Sequence, residues 1–178
     1  ATEKDPHIDQ LAGIVLEDEG VIYELIAGLI SKKETYRYNC FKILNKIAEE
    51  NPQQLYKFWD FFIEQLHSSN AYHRMAGIVL LADLVYVDEE GKFEDVFEDY
   101  FTLLDDEKVI VACYVGRHAW KIAEAKPEYN QKVIDALLAI SDTHHVEDRK
   151  ALISADIIQS LGKIYEVSSN KNAIKNFV

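Results

Sequence analysis

Residues 92–104 read KFEDVFEDYFTLL, and this stretch indicates the fold class. Its apolar residues recur at the three- and four-residue spacing of one helix face, whereas its acidic residues fill the opposite face. The apolar set is Phe93, Val96, Phe97, Tyr100, Phe101 and Leu104, and the polar set is Glu94, Asp95, Glu98, Asp99 and Thr102. The stretch therefore predicts an amphipathic α-helix that must bury one side against other elements.

The same apolar stripe returns every 37 residues along the chain. Three columns of this step stay apolar through four positions, and two more columns do so in the segments between them. The columns are Leu29, Leu66, Leu103, Ile140; Ile26, Ile63, Tyr100, Leu137; Ile22, Trp59, Val96, Val133; Phe41, Ile78, Val115, Leu152; and Leu11, Ala48, Val85, Ile122. Such internal periodicity is typical of repeat proteins, in which neighbouring units bury one another's apolar faces.

We predict one domain, residues 1–178, in which each repeat is a pair of helices. The first helix of a pair is called the A helix and the second the B helix. The approximate bounds of the five repeats are 7–31, 34–67, 70–104, 107–141 and 146–178. The predicted fold class is all-α, an α-α superhelix (solenoid) of about five stacked helix pairs.

Turn-forming residues agree with this division of the chain. Pro52 and Pro127 fall where B helices begin, and Gly91 stands at the matching place in the repeat between them. Asn70 and Asp106 are suited to cap A helices. Seven glycines and three prolines, without any Asn-Gly or Asp-Gly pair, also make a hairpin-rich β fold a poor fit.

The pairs resemble HEAT repeats. An arginine stands early in two A helices, Arg37 and Arg74, one period apart, and the two prolines open B helices. Val111 and Asp148 occupy the arginine column in later repeats, which is a departure from the pattern. The resemblance implies a curved superhelix whose B helices line the concave face, where HEAT-family proteins commonly hold a protein partner.

The charge of the chain excludes some classes of partner. There are 31 acidic and 19 basic residues, a formal net charge of −12, which repels phosphate backbones and anionic lipid. We therefore expect neither nucleic-acid nor membrane binding. Cys40 and Cys113 lie inside apolar helical patterns, which predicts two reduced, buried thiols and a cytoplasmic protein.

A candidate partner-binding surface follows from the same 37-residue step. The most solvent-facing position of the B helices is acidic in three repeats and a phenylalanine in the fourth. Ten carboxylates lie between Asp88 and Glu107, with Lys92 the one basic residue among them. These are either a solvated face or a docking surface for a basic protein or peptide. The candidate residues are Glu24, Phe61, Glu94, Asp95, Glu98, Asp99 and Asp135.

Phe61 allows two interpretations. It is covered by a bend or by a long neighbouring side chain, or it is an aromatic anchor for a partner. Trp59 and Trp120 lie on apolar stripes, and we expect both in the core. His118 shares a column with Leu44 and Leu81, which predicts a half-buried structural histidine.

Catalytic or cofactor chemistry finds little support in the sequence. Asp142, His144 and His145 cluster between repeats, but a metal site needs three or four groups in fixed geometry, so we expect no metal. No phosphate-binding glycine loop or nucleophile motif occurs, so we also expect no cofactor and no catalytic residue.

Two alternatives stay open. One is an enzyme like the HEAT-like DNA-alkylation-repair glycosylases, for which Trp59, Asp60 and Trp120 are the residues that match. The acidic column argues against it, because such a groove is expected to be positive. The other is a segment of a larger scaffold.

Overall fold

The computed structural model describes residues 6–168 and 170–177, and the other positions of the predicted domain lie outside it. Within these residues the chain forms ten α-helices and no strand, which confirms the all-α class. The helices are α1 (Pro6–Leu16), α2 (Glu19–Gly28), α3 (Glu34–Glu50), α4 (Trp59–Leu66), α5 (Ala71–Leu84), α6 (Phe93–Thr102), α7 (Val109–Ala125), α8 (Asn130–Leu138), α9 (Glu147–Ile164) and α10 (Lys171–Phe177).

The B helices start later than the prolines predicted. Pro52 opens a short 3-10 turn, Pro52–Gln54, and a second turn, Tyr56–Phe58, precedes α4. Pro127 likewise opens the 3-10 turn Pro127–Tyr129 before α8. The tighter turn satisfies the backbone locally: the Leu55 N–H donates to the Pro52 carbonyl over 2.9 Å.

The two predicted caps had different outcomes. The Asn70 side chain accepts a hydrogen bond from the Tyr72 N–H over 2.9 Å, so Asn70 caps α5 as predicted. Asp106 does not cap α7, which begins at Val109. Its carboxylate accepts from the Lys108 N–H over 2.8 Å and faces Arg74 instead. The ion pair holds this carboxylate one turn before the helix.

Helices contact their counterparts in the next repeat. The A helices α1, α3, α5, α7 and α9 pack in sequence, each on the next. Contacts also connect successive B helices: Tyr23 packs edge-on against Phe58 beside α4, and Phe97 packs against Tyr129 beside α8. α4 contacts α6 directly, and α4 also packs closely on α5.

The apolar columns form the core, except at their ends. Leu11 and Leu152 are exposed, which contradicts the column assignment at these two positions, whereas Ala12 and Ile153 are buried. The 37-residue step is therefore off by one residue at α1 and at α9. From Val115 to Ile153 the step is 38, because the loop before α9 holds one residue more than the period allows.

One polar contact recurs with the period. The Arg37 guanidinium donates to the Ser31 carbonyl over 2.8 Å, and Arg74 donates to the Ser68 carbonyl over 2.6 Å. Both donors and both acceptors are 37 residues apart, so the pattern of arginines corresponds to a repeated local structure. Arg74 adds a buried ion pair with Asp106, in which Nε lies 2.7 Å from Oδ2.

Gly91 supports a conformation that other residues resist. It has φ +72°, the left-handed region, in the turn before α6. A methyl group would meet open space there, so the effect of Gly91→Ala is confined to the backbone. We expect it to lower the free energy of unfolding by about 1 kcal/mol. Urea titration measures this, and Gly13→Ala, in α1 and equally open, serves as the control that is neutral or stabilising.

Both cysteines are free and buried, as the sequence predicted. Burial raises the pKa of the Cys113 thiol to about 11, and burial also raises the pKa of Cys40. Neither thiol is therefore an activated nucleophile at neutral pH.

Candidate partner-binding surface

The net negative charge of the A and B helices comes entirely from the four B helices α2, α4, α6 and α8. These contain nine acidic side chains, two each in α2 and α4, four in α6 and one in α8, but a single basic one. The five A helices contain nine acidic and nine basic side chains. The short α10, which carries two lysines, is counted with neither set. The charged residues of the four B helices are Glu19, Glu24, Asp60, Glu64, Glu94, Asp95, Glu98, Asp99, Lys132 and Asp135.

Packing of aromatic rings fixes which side of α6 faces solvent. Phe93 and Tyr100 are fully buried, and Phe93 lies edge-on to Trp59 with ring centroids 6.5 Å apart. Phe97 packs on Phe101 at 4.5 Å. The helical period then turns the four carboxylates of α6 outward, and all four are exposed.

The start of α6 is fixed by a buried carboxylate. Asp88 accepts hydrogen bonds from the backbone N–H groups of Lys92 and Phe93 over 3.0 and 2.9 Å. The Tyr56 hydroxyl donates to the same carboxylate over 2.7 Å. Asp88 is 2% exposed, and the Asp106 carboxylate is also buried, so two of the ten carboxylates in the acidic stretch are structural and cannot meet a partner.

The predicted candidate residues are exposed with one exception. Glu24, Glu94, Asp95, Glu98, Asp99 and Asp135 all face solvent. Phe61 is half-buried and lies edge-on to Phe62, with ring centroids 5.8 Å apart. The core covers part of its ring and part stays accessible, and its role as an anchor for a partner stays a prediction.

Contacts between helices bring several of these carboxylates together. Asp99 lies 3.3 Å from His67 at the end of α4, and Glu98 lies 3.2 Å from Lys132 of α8. Lys132 also stands over the Phe97 ring at 3.9 Å, and Asp135 accepts from Gln131 on its own helix. The α6 carboxylates are therefore flanked by α4 and α8. Glu24 lies on α2 and makes no contact with them within hydrogen-bond distance.

Several carboxylates of this surface lack a cationic partner. In residues 6–168 and 170–177, no ion pair within 4 Å involves Glu24, Glu94 or Asp95. The local field is negative: burial, followed by the carboxylates of Glu94 and Glu128, raises the pKa of the Tyr129 phenol. A cation placed beside these groups would gain attraction and relieve repulsion.

A second concave feature, on the A helices, escaped the sequence analysis. A groove of about 320 Å³ lies between α3, α5 and α7. Its main side chains are Arg37, Tyr38, Phe41, Tyr72, Met75 and Tyr114. The Arg37 guanidinium stands over the Tyr72 ring at 5.1 Å. The sequence did contain a signal for this groove, because Tyr38 and Tyr72 fall on the polar faces of A helices. In the structure both side chains are more than half exposed.

The remaining predicted aromatic and histidine residues have mainly structural environments. Trp59 is 1% exposed, which confirms a core position and leaves no ring face for an extruded base. Trp120 is only half-buried and packs against the edge of the core, so its predicted core position is wrong in part, and Lys163 lies over its ring at 3.5 Å. His118 is half-buried, as predicted, and its Nδ1 donates to the Tyr114 carbonyl over 2.8 Å.

No helix in the described part of the chain combines the length and apolar character needed to cross a lipid bilayer. Comparison of the chain with protein-family models, with curated proteins and with solved structures gave no match.

Proposed function

We propose that the chain is a non-catalytic binding protein with a HEAT-like solenoid fold, and that its B helices hold a basic protein or peptide segment. The solenoid is supported by the recurring bonds of Arg37 and Arg74 and by the packing of each A helix on the next. Polar contacts between successive pairs also support it, because they join residues about one repeat apart in the sequence. Lys121 and Asp83, for example, are 38 residues apart.

The observation that carries the binding proposal is the separation of charge between the two sets of helices. Solubility alone would be served by acidic residues on both faces, but the A helices are balanced in charge. Nine carboxylates and one lysine on the B helices form a field that attracts a cationic segment and accelerates its association. The accessible part of the Phe61 ring supplies an apolar contact beside these charges.

Neutralising the carboxylates of α6 is expected to weaken binding of a basic peptide at least tenfold. The variant carries Glu94→Gln, Asp95→Asn, Glu98→Gln and Asp99→Asn, and the probe is a fluorescein-labelled oligolysine peptide. Association should slow, because these exposed groups supply the attraction. Fluorescence anisotropy in low and moderate salt gives the affinity, which should fall with ionic strength for the unmodified chain.

A matched control separates this surface from net charge. The control variant also loses four negative charges, but from exposed positions of the A helices. It carries Glu34→Gln, Glu49→Gln, Glu147→Gln and Asp148→Asn. This control is expected to bind the peptide within about a factor of two to three of the unmodified chain, because only distant, screened charge changes. Equal weakening by the two variants would show that net charge alone drives binding, and the proposed site would be wrong.

A further inference from the structure

Two histidines and an aspartate from two successive connections between repeats lie close together. Asp105 ends the 3-10 turn Leu103–Asp105, and His144 and His145 lie in the loop before α9. The His144 N–H donates to Asp105 Oδ1 over 2.7 Å, and His144 Nδ1 lies 2.5 Å from the same oxygen. The rings of the two histidines lie against each other at a tilt of 36°, with centroids 4.5 Å apart.

His145 offers a buried nitrogen without a partner. The residue is 4% exposed, and its Nε2 lies 3.1 Å from the Leu104 carbonyl oxygen. Because a carbonyl only accepts, Nε2 carries the proton and Nδ1 carries a lone pair. Nδ1 is buried and has no hydrogen-bond partner. Buried polar atoms are normally satisfied, so this nitrogen points to a missing ligand.

The dimensions of the cluster suit a metal ion. One ligand atom from each of Asp105, His144 and His145 lies within 4.8 Å of the others. Two ligands at about 2.1 Å from a tetrahedral zinc ion lie about 3.4 Å apart, so the most widely spaced ligand atoms must approach by up to about 1.4 Å to close the site. The Asp105 and His144 side chains are about half exposed and can make this movement.

We propose that Asp105, His144 and His145 bind a divalent transition-metal ion, with Zn²⁺ as the ion that suits them best. Two imidazoles and one carboxylate are donors that zinc accepts, whereas Ca²⁺ and Mg²⁺ require mostly oxygen. His145 binds through Nδ1 while Nε2 keeps its hydrogen bond to Leu104, an arrangement common for metal-bound imidazole. Three protein ligands leave a fourth position for water. The ion joins two successive repeats, and the proposal is independent of the B-helix surface.

The test uses the full chain, stripped of metal with a chelator and exchanged into chelator-free buffer. Titration calorimetry with Zn²⁺ should show saturable binding of one ion per chain. His144→Ala and Asp105→Asn should each weaken it at least tenfold, and both change exposed side chains. His145→Gln keeps a donor for the Leu104 carbonyl and should also weaken binding. Circular dichroism verifies that each variant is folded.

The chain supplies its own control. His67 and Asp99 form another exposed histidine–aspartate pair, 3.3 Å apart, without a second histidine. His67→Ala combined with Asp99→Asn should leave zinc binding unchanged. Co²⁺ gives an independent readout, since the visible absorption of a tetrahedral site should appear with the unmodified chain and disappear with His144→Ala. Absence of saturable binding, or equal weakening by the control, would overturn the proposal.

Discussion

Arg74→Met is expected to lower the free energy of unfolding by about 3–5 kcal/mol. The Arg74 and Asp106 side chains are 8% and 6% exposed, and two guanidinium nitrogens lie 2.7 and 2.9 Å from the carboxylate. A third nitrogen donates to the Ser68 carbonyl. Methionine fills a similar volume but leaves the Asp106 charge buried and unpaired. Urea unfolding followed by circular dichroism measures the loss.

Two further variants test the cause of this loss. Arg37→Met removes the arginine one period earlier, which bonds the Ser31 carbonyl and lies over Tyr72 but has no ion pair of this kind. Its cost should be about 1 kcal/mol. Adding Asp106→Asn to Arg74→Met removes the stranded charge while keeping an acceptor for the Lys108 N–H, and should recover at least half of the loss. If the double variant is no more stable than Arg74→Met, the buried charge is not the cause.

Acid is expected to destabilise the protein through His118. Burial lowers the pKa of His118 to about 4, although the hydrogen bond to the Tyr114 carbonyl acts to raise it. The neighbouring charges are Lys121 and Arg117, which lower the pKa, and Asp156, which raises it. In the unfolded chain the imidazole titrates near 6.5. Between these pH values the unfolded state binds a proton that the folded state excludes.

The sign of the effect follows from this difference. As the pH falls from about 6.5 to about 4, the free energy of unfolding should decrease by about 3 kcal/mol through this group. His118→Gln retains a donor for the Tyr114 carbonyl and removes the titration, so its stability should overtake that of the unmodified chain in acid. His67→Gln makes the same exchange at an exposed histidine and is the control for the substitution itself. Urea titrations at about pH 7 and pH 4.5 measure the difference, and parallel profiles for His118→Gln would contradict the assignment.

The all-α class was predictable because the helical signal is repeated along the chain. A single helical stripe is ambiguous, but Ile22, Trp59, Val96 and Val133 lie one period apart and all four are buried. The period could not locate the exceptions at Leu11 and Leu152, because a change of one residue in a loop moves the buried face to the next position along the sequence, and adjacent positions on a helix point about 100° apart. Such changes depend on how the loop packs, and the spacing of apolar residues in the sequence contains no information about that.

The candidate site was predictable only in part. The exposed carboxylates of α6 follow from the helical period, since aromatic residues occupy the other face. Asp88 and Asp106 do not, because their burial depends on Tyr56 and Arg74, which are 32 residues away from each in the chain. The same limit applies to His145. Its unpaired nitrogen becomes apparent only when the Leu104 carbonyl is placed against the other nitrogen of the ring.

The spacing of the contacts between helix pairs bears on how the chain gains its structure. The bonds from Tyr56 to Asp88 and from Ser160 to the Gly116 carbonyl span 32 and 44 residues, and those of Lys121 with Asp83 and Arg117 with Asp156 span 38 and 39. Each pair can therefore close on its neighbour with a similar, modest loss of chain entropy, without waiting for distant segments. In the solenoid that we propose, order can then begin at any pair and spread in both directions, and we expect the amides of the outermost pairs to exchange with solvent before those of α5 and α7.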